Sequence, residues 1–70
     1  MMNAPEHYEI HIKGHISDLL GMQFENLEIR RDPDGSTVLS GLLDQSALHG
    51  ILQKIRDLGL KLIAVNQVED

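Results

Sequence analysis

Cysteine and tryptophan are both absent from this chain of 70 residues. Without cysteine, the chain cannot form disulfides, thiolate zinc sites or iron–sulfur clusters, and heavy-metal carriers of similar size, which need paired thiols, are excluded too. A domain this short buries only about 60% of the surface that its unfolded chain exposes. Small domains usually compensate with disulfides, a structural metal or oligomerisation, so oligomerisation is the compensation that we expect here.

Basic and aromatic residues are also scarce. Six basic residues stand against eleven acidic ones, for a net charge of −5, and the only aromatic residues are Tyr8 and Phe24. Nucleic-acid binding needs a positive surface and, for single strands, aromatic stacking surfaces. We therefore predict no nucleic-acid partner.

Long apolar runs are missing as well. No run approaches the roughly 20 residues that span a bilayer, and the N-terminal segment lacks the basic and apolar regions of a signal peptide. We expect a soluble cytoplasmic protein, bacterial in style, with no membrane partner.

The pattern of apolar and polar residues along the chain predicts one small domain. Residues 1–6 have no periodicity and are predicted to be a disordered tail, and 7–68 are predicted to form a single α+β domain. Apolar and polar residues alternate over 8–16, which indicates a strand with one buried face. A short helical turn near 18–22 follows, with Ser17 as its N-cap.

A hairpin is the most specific signal of the first half. Strands are predicted over 24–31 and 37–43, joined by a three-residue loop in which Pro33 and Gly35 supply the turn geometry. That loop pairs Ile29 with Leu39 and Arg30 with Val38. The side chains expected to face the helix are then Leu27, Ile29, Leu39 and Leu43, with Val38 and Leu42 on the opposite side.

An amphipathic helix is predicted over 45–58. Asp44 is its N-cap, and Gly59 with Leu60 forms its C-terminal Schellman cap. Gly50 is unfavourable within a helix, and we attribute it to a close approach between helix and strand. The last strand, 61–68, is apolar on both sides. Six residues fall on one apolar arc of the helix: Ala47, Leu48, Ile51, Leu52, Ile55 and Leu58.

These elements predict a two-layer sandwich, a four-stranded, mostly antiparallel sheet covered on one face by one long helix. A single helical turn is too short for a full crossover helix between parallel strands. We therefore favour the first two strands as antiparallel neighbours. A ferredoxin-like variant, whose first helix has shrunk to a turn, is the alternative topology.

One helix covers only one face of such a sheet, and exposed apolar patches commonly mark interaction surfaces. We predict a homo-oligomer or a protein partner at the uncovered surface. The candidate interface residues are Val38, Leu42, Ile63, Val65, His11 and His15.

The histidines are the residues whose chemistry most suggests a metal site or a catalytic role. His7, His11 and His15 share a predicted strand face, but residues four apart on a strand are separated by roughly 13 Å, too far for one ion. No metal, cofactor or catalytic residue is predicted. On the helix, His49 and Arg56 are weak functional candidates, because no nucleophile or phosphate-binding loop accompanies them.

The helix motif carries a resemblance to a known group. Residues 44–50 read DQSALHG and residues 55–60 read IRDLGL. This resembles a motif of short uncharacterised bacterial proteins, DQ-x-A-L-H-G followed by I/V-R-D-L-G-L, and the strand return at 35–39 is similar too. The resemblance covers most of 8–68. It implies no activity or cofactor, although it draws attention to His49.

Taken together, the sequence predicts a small non-catalytic module for protein interaction or self-assembly. One alternative is a small-molecule-binding regulatory module, similar to ACT domains, with its ligand at a subunit interface. Another is a small enzyme or accessory subunit whose site lies between chains.

Overall fold

A computed structural model describes residues 4–24 and 26–69 of the chain. It has the predicted two-layer α+β architecture, with a four-stranded sheet and one long helix. The elements in chain order are β1 (Glu6–Lys13), α1 (Asp18–Gly21), a 3-10 turn (Met22–Phe24), β2 (Glu28–Arg31), β3 (Ser36–Leu43), α2 (Gln45–Asp57) and β4 (Leu62–Val68).

The strand order is β2-β3-β1-β4, and every neighbouring pair is antiparallel. β3 lies between β1 and β2, so the preferred prediction that these two are neighbours is wrong. The order is that of the ferredoxin-like alternative, with its first helix reduced to one turn. The reason is that the whole connection from Gly14 to Leu27 crosses β3, and its length meets the dozen or so residues that a crossover needs.

That connection also fills the core in place of a first full helix. Ser17 caps α1 as predicted, its hydroxyl accepting a hydrogen bond from the Leu20 N–H at 3.2 Å. Phe24 lies in the 3-10 turn and not in a strand, and its side chain is only 1% exposed. β2 therefore begins later than the predicted residue 24, at Glu28. The connection thus covers the part of the sheet that α2 leaves free.

Both ends of α2 match the predicted caps. The Asp44 carboxylate accepts from the Ala47 N–H at 2.7 Å. At the other end, the Gly59 N–H donates to the Arg56 carbonyl and the Leu60 N–H to the Ile55 carbonyl, each at 3.0 Å. These two bonds define a Schellman motif, and the φ of 74° at Gly59 is the left-handed conformation that it requires.

The hairpin register is confirmed too. Ile29 pairs with Leu39 and Arg30 with Val38, while the Asp32 N–H donates to the Ser36 carbonyl at 2.8 Å. The core lies between the sheet and the helical layer. Its buried members are Tyr8, Ile10, Ile12, Ile16, Phe24, Leu27, Leu39, Leu43, Leu48 and Ile55.

Other predictions about the fold need correction. β1 ends at Lys13, because Gly14 has a φ of 85° and turns the chain out of the strand. Glu6, assigned to the tail, pairs with Leu43, and residues 1–3 of that tail lie outside the described residues. A Cβ placed on Gly50 would meet nothing within 4 Å, so the predicted close approach at this glycine is wrong.

None of the described helices is both long and apolar enough to cross a membrane.

Candidate functional site: the open sheet face and the β4 edge

The sheet face opposite α2 is mostly polar. Strand register places its side chains in four cross-strand rows. The first row holds Lys13 and Ser36; the second holds Arg30, Val38, His11 and Ala64; the third holds Glu28, Ser40, Glu9 and Asn66; the fourth holds Leu42, His7 and Val68. Because six of these thirteen side chains are charged or histidine, this face is not the apolar patch that the sequence predicted.

Val38 and Leu42 share this face but differ completely in exposure. Val38 is 1% exposed, and Leu42 is 70% exposed. Val38 lies between Arg30 and His11 on the adjacent strands, and these longer side chains shield it. The expectation that Val38 lacks an intramolecular partner is therefore wrong, whereas Leu42 is free to contact another molecule.

The predicted histidine stripe is incomplete. His7 and His11 lie on the open face, but His15 lies beyond the end of β1, where its Nε2 is 2.7 Å from the Asp32 carbonyl oxygen. The Nε2 of His11 is buried without a hydrogen-bond partner among the described residues, and its distance to the nearer Glu9 oxygen is 3.7 Å. In the described ranges, no three potential metal-ligating His, Asp or Glu side chains converge.

Charged groups gather at the hairpin end of this face. The Asp34 carboxylate accepts hydrogen bonds from the Ser36 hydroxyl at 2.6 Å and the Ser36 N–H at 2.9 Å, and these bonds lower the pKa of Asp34. The Asp32 carboxylate, 2.7 Å from the Arg30 Nε, raises the pKa of that guanidinium. Both carboxylates are thus already satisfied within the hairpin.

A shallow depression lies where β2 begins. Its volume is about 520 Å³, and it is lined by His7, Asn26, Leu27, Glu28, Ser40, Gly41 and Leu42. It is wide open to solvent, and its lining includes the exposed side chain of Leu42. Its lining contains one hydroxyl, that of Ser40, and two potential bases, His7 and Glu28.

The helix candidates lie on α2, which packs against the opposite face of the sheet. His49 and Arg56 are both exposed on α2. They are seven residues apart, which corresponds to about 10 Å along a helix axis. The structure adds no catalytic partner to either residue within its described part.

The remaining apolar candidates lie on or near β4. Val65 pairs with Ile10 and packs against the core, so it faces the covered side. Ile63 is the extra residue of a β-bulge, because Leu62 pairs with Ile12 while Ala64 pairs with His11. Leu62 is 44% exposed and Ile63 is 56% exposed. The predicted interface residues are therefore spread over several surfaces rather than gathered on one.

The two edges of the sheet have opposite character. β2 is four residues long and reads EIRR, with three charges, whereas β4 is seven residues long and reads LIAVNQV, with none. Within the described chain, β4 pairs only with β1, so its outer edge is open. The sequence contains the uncharged run, but its significance depends on the position of β4 at an edge of the sheet, which the run itself does not predict.

Comparison with known proteins places the chain in a family without assigning it an activity. No curated protein and no solved structure gives a significant match. A family model described as a domain of unknown function (DUF8691) matches residues 7–66. The match runs from β1 into β4 and so includes every helix and strand described above. The chain therefore belongs to this DUF8691 family.

Proposed function

We propose that this domain is a non-catalytic self-assembly module whose contact surface is the outer edge of β4. The observation that supports the proposal is a seven-residue, uncharged strand with one side open, whose first two residues, Leu62 and Ile63, are large, apolar and exposed. An edge strand of this kind offers unpaired backbone groups to another strand.

The contrast with β2 strengthens this interpretation. Sheet proteins commonly protect an edge by keeping its strand short and charged, which describes β2 with Glu28, Arg30 and Arg31. The bulge at Ile63 disturbs one end of β4, but residues 64–68 pair regularly with β1. The β2 edge is thus well protected against pairing with another strand, and the β4 edge is poorly protected.

The open sheet face is a less suitable contact surface. Leu42 is its one highly exposed large apolar residue, and its neighbours in the same row and the next are His7, Glu28 and Glu9. Burying those polar groups would cost free energy unless a partner supplied matching hydrogen bonds. The β4 strand carries no charge, and an added strand would supply hydrogen-bond partners for its outward backbone groups.

Sedimentation of Ile63→Lys over a concentration series tests the proposal. We expect the unmodified chain to associate and the variant to be shifted towards the monomer, because a charge on the edge must be desolvated in the assembly. Leu19→Lys is the matched control, since Leu19 is 73% exposed but lies on α1. Leu42→Glu tests the open face in the same way.

The result that would overturn the proposal is equally clear. A chain that remains monomeric at every soluble concentration would contradict self-assembly. An assembly that Leu42→Glu disrupts and Ile63→Lys leaves intact would move the contact to the open face.

Ligand binding at a subunit interface is the second candidate. The observation that favours it is the ferredoxin-like strand order, which ACT-like regulatory modules share. A shared strand order is evidence for a similar fold, and it is weaker evidence for a similar function. A thermal-shift screen of amino acids and nucleotides tests it, because a ligand that binds only the folded state raises its stability.

We also propose a cytoplasmic location and a bacterial origin for proteins with the helix motif.

A further inference from the structure

We infer that the corner where α2 ends and β4 begins docks an acidic, extended segment of another protein, which pairs with the open edge and places its carboxylates beside Lys61. This inference goes beyond the proposed self-assembly, because it concerns a different partner. Both partners use the same edge, so they would compete for it.

Exposed apolar side chains are concentrated at this corner. Six large apolar side chains are exposed among the described residues, and three of them lie within six consecutive positions. These three are Leu58, Leu62 and Ile63, which are 37%, 44% and 56% exposed. Leu62 pairs with the core residue Ile12, so it lies on the covered side of the sheet. Association at this corner would therefore remove apolar surface from water.

Two lysines flank the start of the open edge. Lys61 lies directly before β4, and its carbonyl accepts from the Lys13 N–H at 2.9 Å, at the end of the adjacent strand. The carboxylates of the hairpin loop at the same end of the sheet are satisfied by Ser36 and Arg30. The corner thus carries two positive charges on its β-strand side.

Arg56, in the last turn of α2, adds a third positive charge. The short helix α1 lies over β2, because a Cβ on Gly21 would be 2.9 Å from Ile29 Cδ1. Lys54 donates from its Nζ to the Gln23 carbonyl in the same connection at 3.0 Å, so it marks the flank of α2 towards β2. Arg56 follows two residues later, about 200° further around the helix. It therefore lies on the opposite flank, towards β4.

The charge of this corner contrasts with that of the whole chain. Lys13, Arg56 and Lys61 are all exposed, and they are half of the six basic residues in a chain with a net charge of −5. Asp57, beside Arg56 in sequence, accepts a hydrogen bond from the Gln53 amide at 3.0 Å. A positive corner of this kind favours a partner with negative charge.

Backbone groups at the open edge favour a peptide segment over a membrane. Alternate residues of β1 bond towards β4, and His11 belongs to this set with Lys13. Ala64, opposite His11, therefore bonds inwards, and Val65 directs its N–H and carbonyl outwards. An added strand can satisfy those groups, whereas the apolar interior of a bilayer cannot.

The ends of β4 determine where the partner carries its charge. Because the β-bulge takes up one residue, Lys61 lies three ladder positions from Val65, a distance of roughly 10 Å. A strand paired at Val65 thus reaches the lysines within a few residues. At the other end of β4, Glu6 and Glu69 are exposed, so carboxylates of the partner would be repelled there. The partner is therefore acidic at one end only.

Binding of fluorescent, end-capped peptides tests the inference. The probe is Thr-Val-Thr-Val-Glu-Glu, and its matched controls end in Gln-Gln and Lys-Lys. We expect the acidic peptide to bind about tenfold more tightly than the neutral one, because two charge pairs form. High salt should remove that difference. No binding of the acidic peptide, or equal binding of all three, would overturn the inference.

Charge reversal on the protein locates the site. Lys61→Glu should weaken binding of the acidic peptide by about tenfold and strengthen binding of the lysine peptide. Lys54→Glu makes the same change of charge on the far flank of α2, and it should change binding by less than about twofold. Equal effects of the two variants would mean that net charge controls binding, and the corner would no longer be the site.

The two proposals fail separately. A chain that stays monomeric overturns self-assembly, and the acidic peptide should still bind to it. In a chain that associates, the acidic peptide should shift sedimentation towards the monomer, and an unchanged distribution at saturating peptide would remove the docked segment from the β4 edge. Binding to phosphatidylserine vesicles without binding to any peptide would assign the corner to a membrane and overturn the inference.

Discussion

The buried hydroxyl of Thr37, on β3, fixes the backbone of Ile16 just after β1 ends. It accepts a hydrogen bond from the Ile16 N–H at 3.2 Å and donates one to the Gly14 carbonyl at 2.7 Å. Thr37 is completely buried. One side chain therefore satisfies two backbone groups at the start of the crossover connection, where no regular element pairs them.

Replacing Thr37 by valine should destabilise the domain by about 2 kcal/mol, because valine fills the same space but leaves two backbone groups without partners. Thr37→Ser is the matched control. It keeps both hydrogen bonds and loses one buried methyl group, at a cost of about 1 kcal/mol. Urea unfolding measures both. Equal losses for the two variants would show that packing, and not the hydroxyl, dominates at this site.

Arg31 fixes the same connection from β2. Its Nε and one terminal nitrogen donate to the Ile16 carbonyl at 3.1 and 3.0 Å, and that terminal nitrogen is also 2.8 Å from the Asp18 carboxylate. Asp18 is 99% exposed, so its ion pair should contribute little. The forked contact with the backbone is the stronger interaction.

We therefore expect Arg31→Lys to lower the free energy of unfolding by about 1 kcal/mol, since an ammonium group cannot reproduce the fork. Asp18→Asn should change it by less than about 0.5 kcal/mol. Chemical denaturation at low and high salt separates the two effects. If Asp18→Asn costs as much as Arg31→Lys, the ion pair matters more than its exposure suggests.

Gly50 and Gly41 should respond in opposite directions to alanine. A Cβ on Gly50 meets open space within α2, so Gly50→Ala should stabilise the domain by about 0.5 to 1 kcal/mol. A Cβ on Gly41 would lie 2.7 Å from Leu27 Cδ2 and 3.4 Å from the Asn26 carbonyl oxygen. Leu27 is held in the core, so Gly41→Ala should cost about 1 to 3 kcal/mol.

Thermal unfolding of the two glycine variants under one condition gives the comparison. A melting temperature that rises for Gly50→Ala and falls for Gly41→Ala supports the distinction. A fall for both would mean that α2 approaches another part of the molecule at Gly50.

Local sequence signals predicted much of this fold because they act over a few residues. The hairpin register follows from a three-residue loop around Gly35, and the ends of α2 follow from Asp44 and Gly59. Each signal depends on backbone geometry within one turn, so tertiary packing leaves it unchanged.

The errors concern relationships between distant residues. Strand order depends on the path from Gly14 to Leu27, which is held by Thr37 and Arg31 from other strands. The burial of Val38 depends on Arg30 and on His11, whose strand was not predicted to lie beside β3. For the same reason the open edge of β4, and with it the site we propose, could not be derived from the sequence.

Acid should weaken the hairpin through Asp34. The Ser36 hydroxyl, followed by the Ser36 N–H, lowers the pKa of this carboxyl below its ordinary value of 3.8. A carboxyl with a depressed pKa adds stability that is fully present above the unfolded value and is lost as the pH falls through the folded value. The contribution of Asp34 should therefore disappear below about pH 3.8.

Unfolding by urea at a series of pH values, for the unmodified chain and for Asp34→Ala, isolates that contribution. We expect the unmodified chain to be more stable near neutral pH and the difference to narrow as the pH falls below 3.8. Ser36→Ala removes the hydroxyl donor but keeps the Ser36 N–H. We therefore expect this variant to lose only part of the stability that the Asp34 carboxylate contributes. A gap between the chain and Asp34→Ala that stays constant down to the lowest pH would show that the carboxylate charge is not the cause.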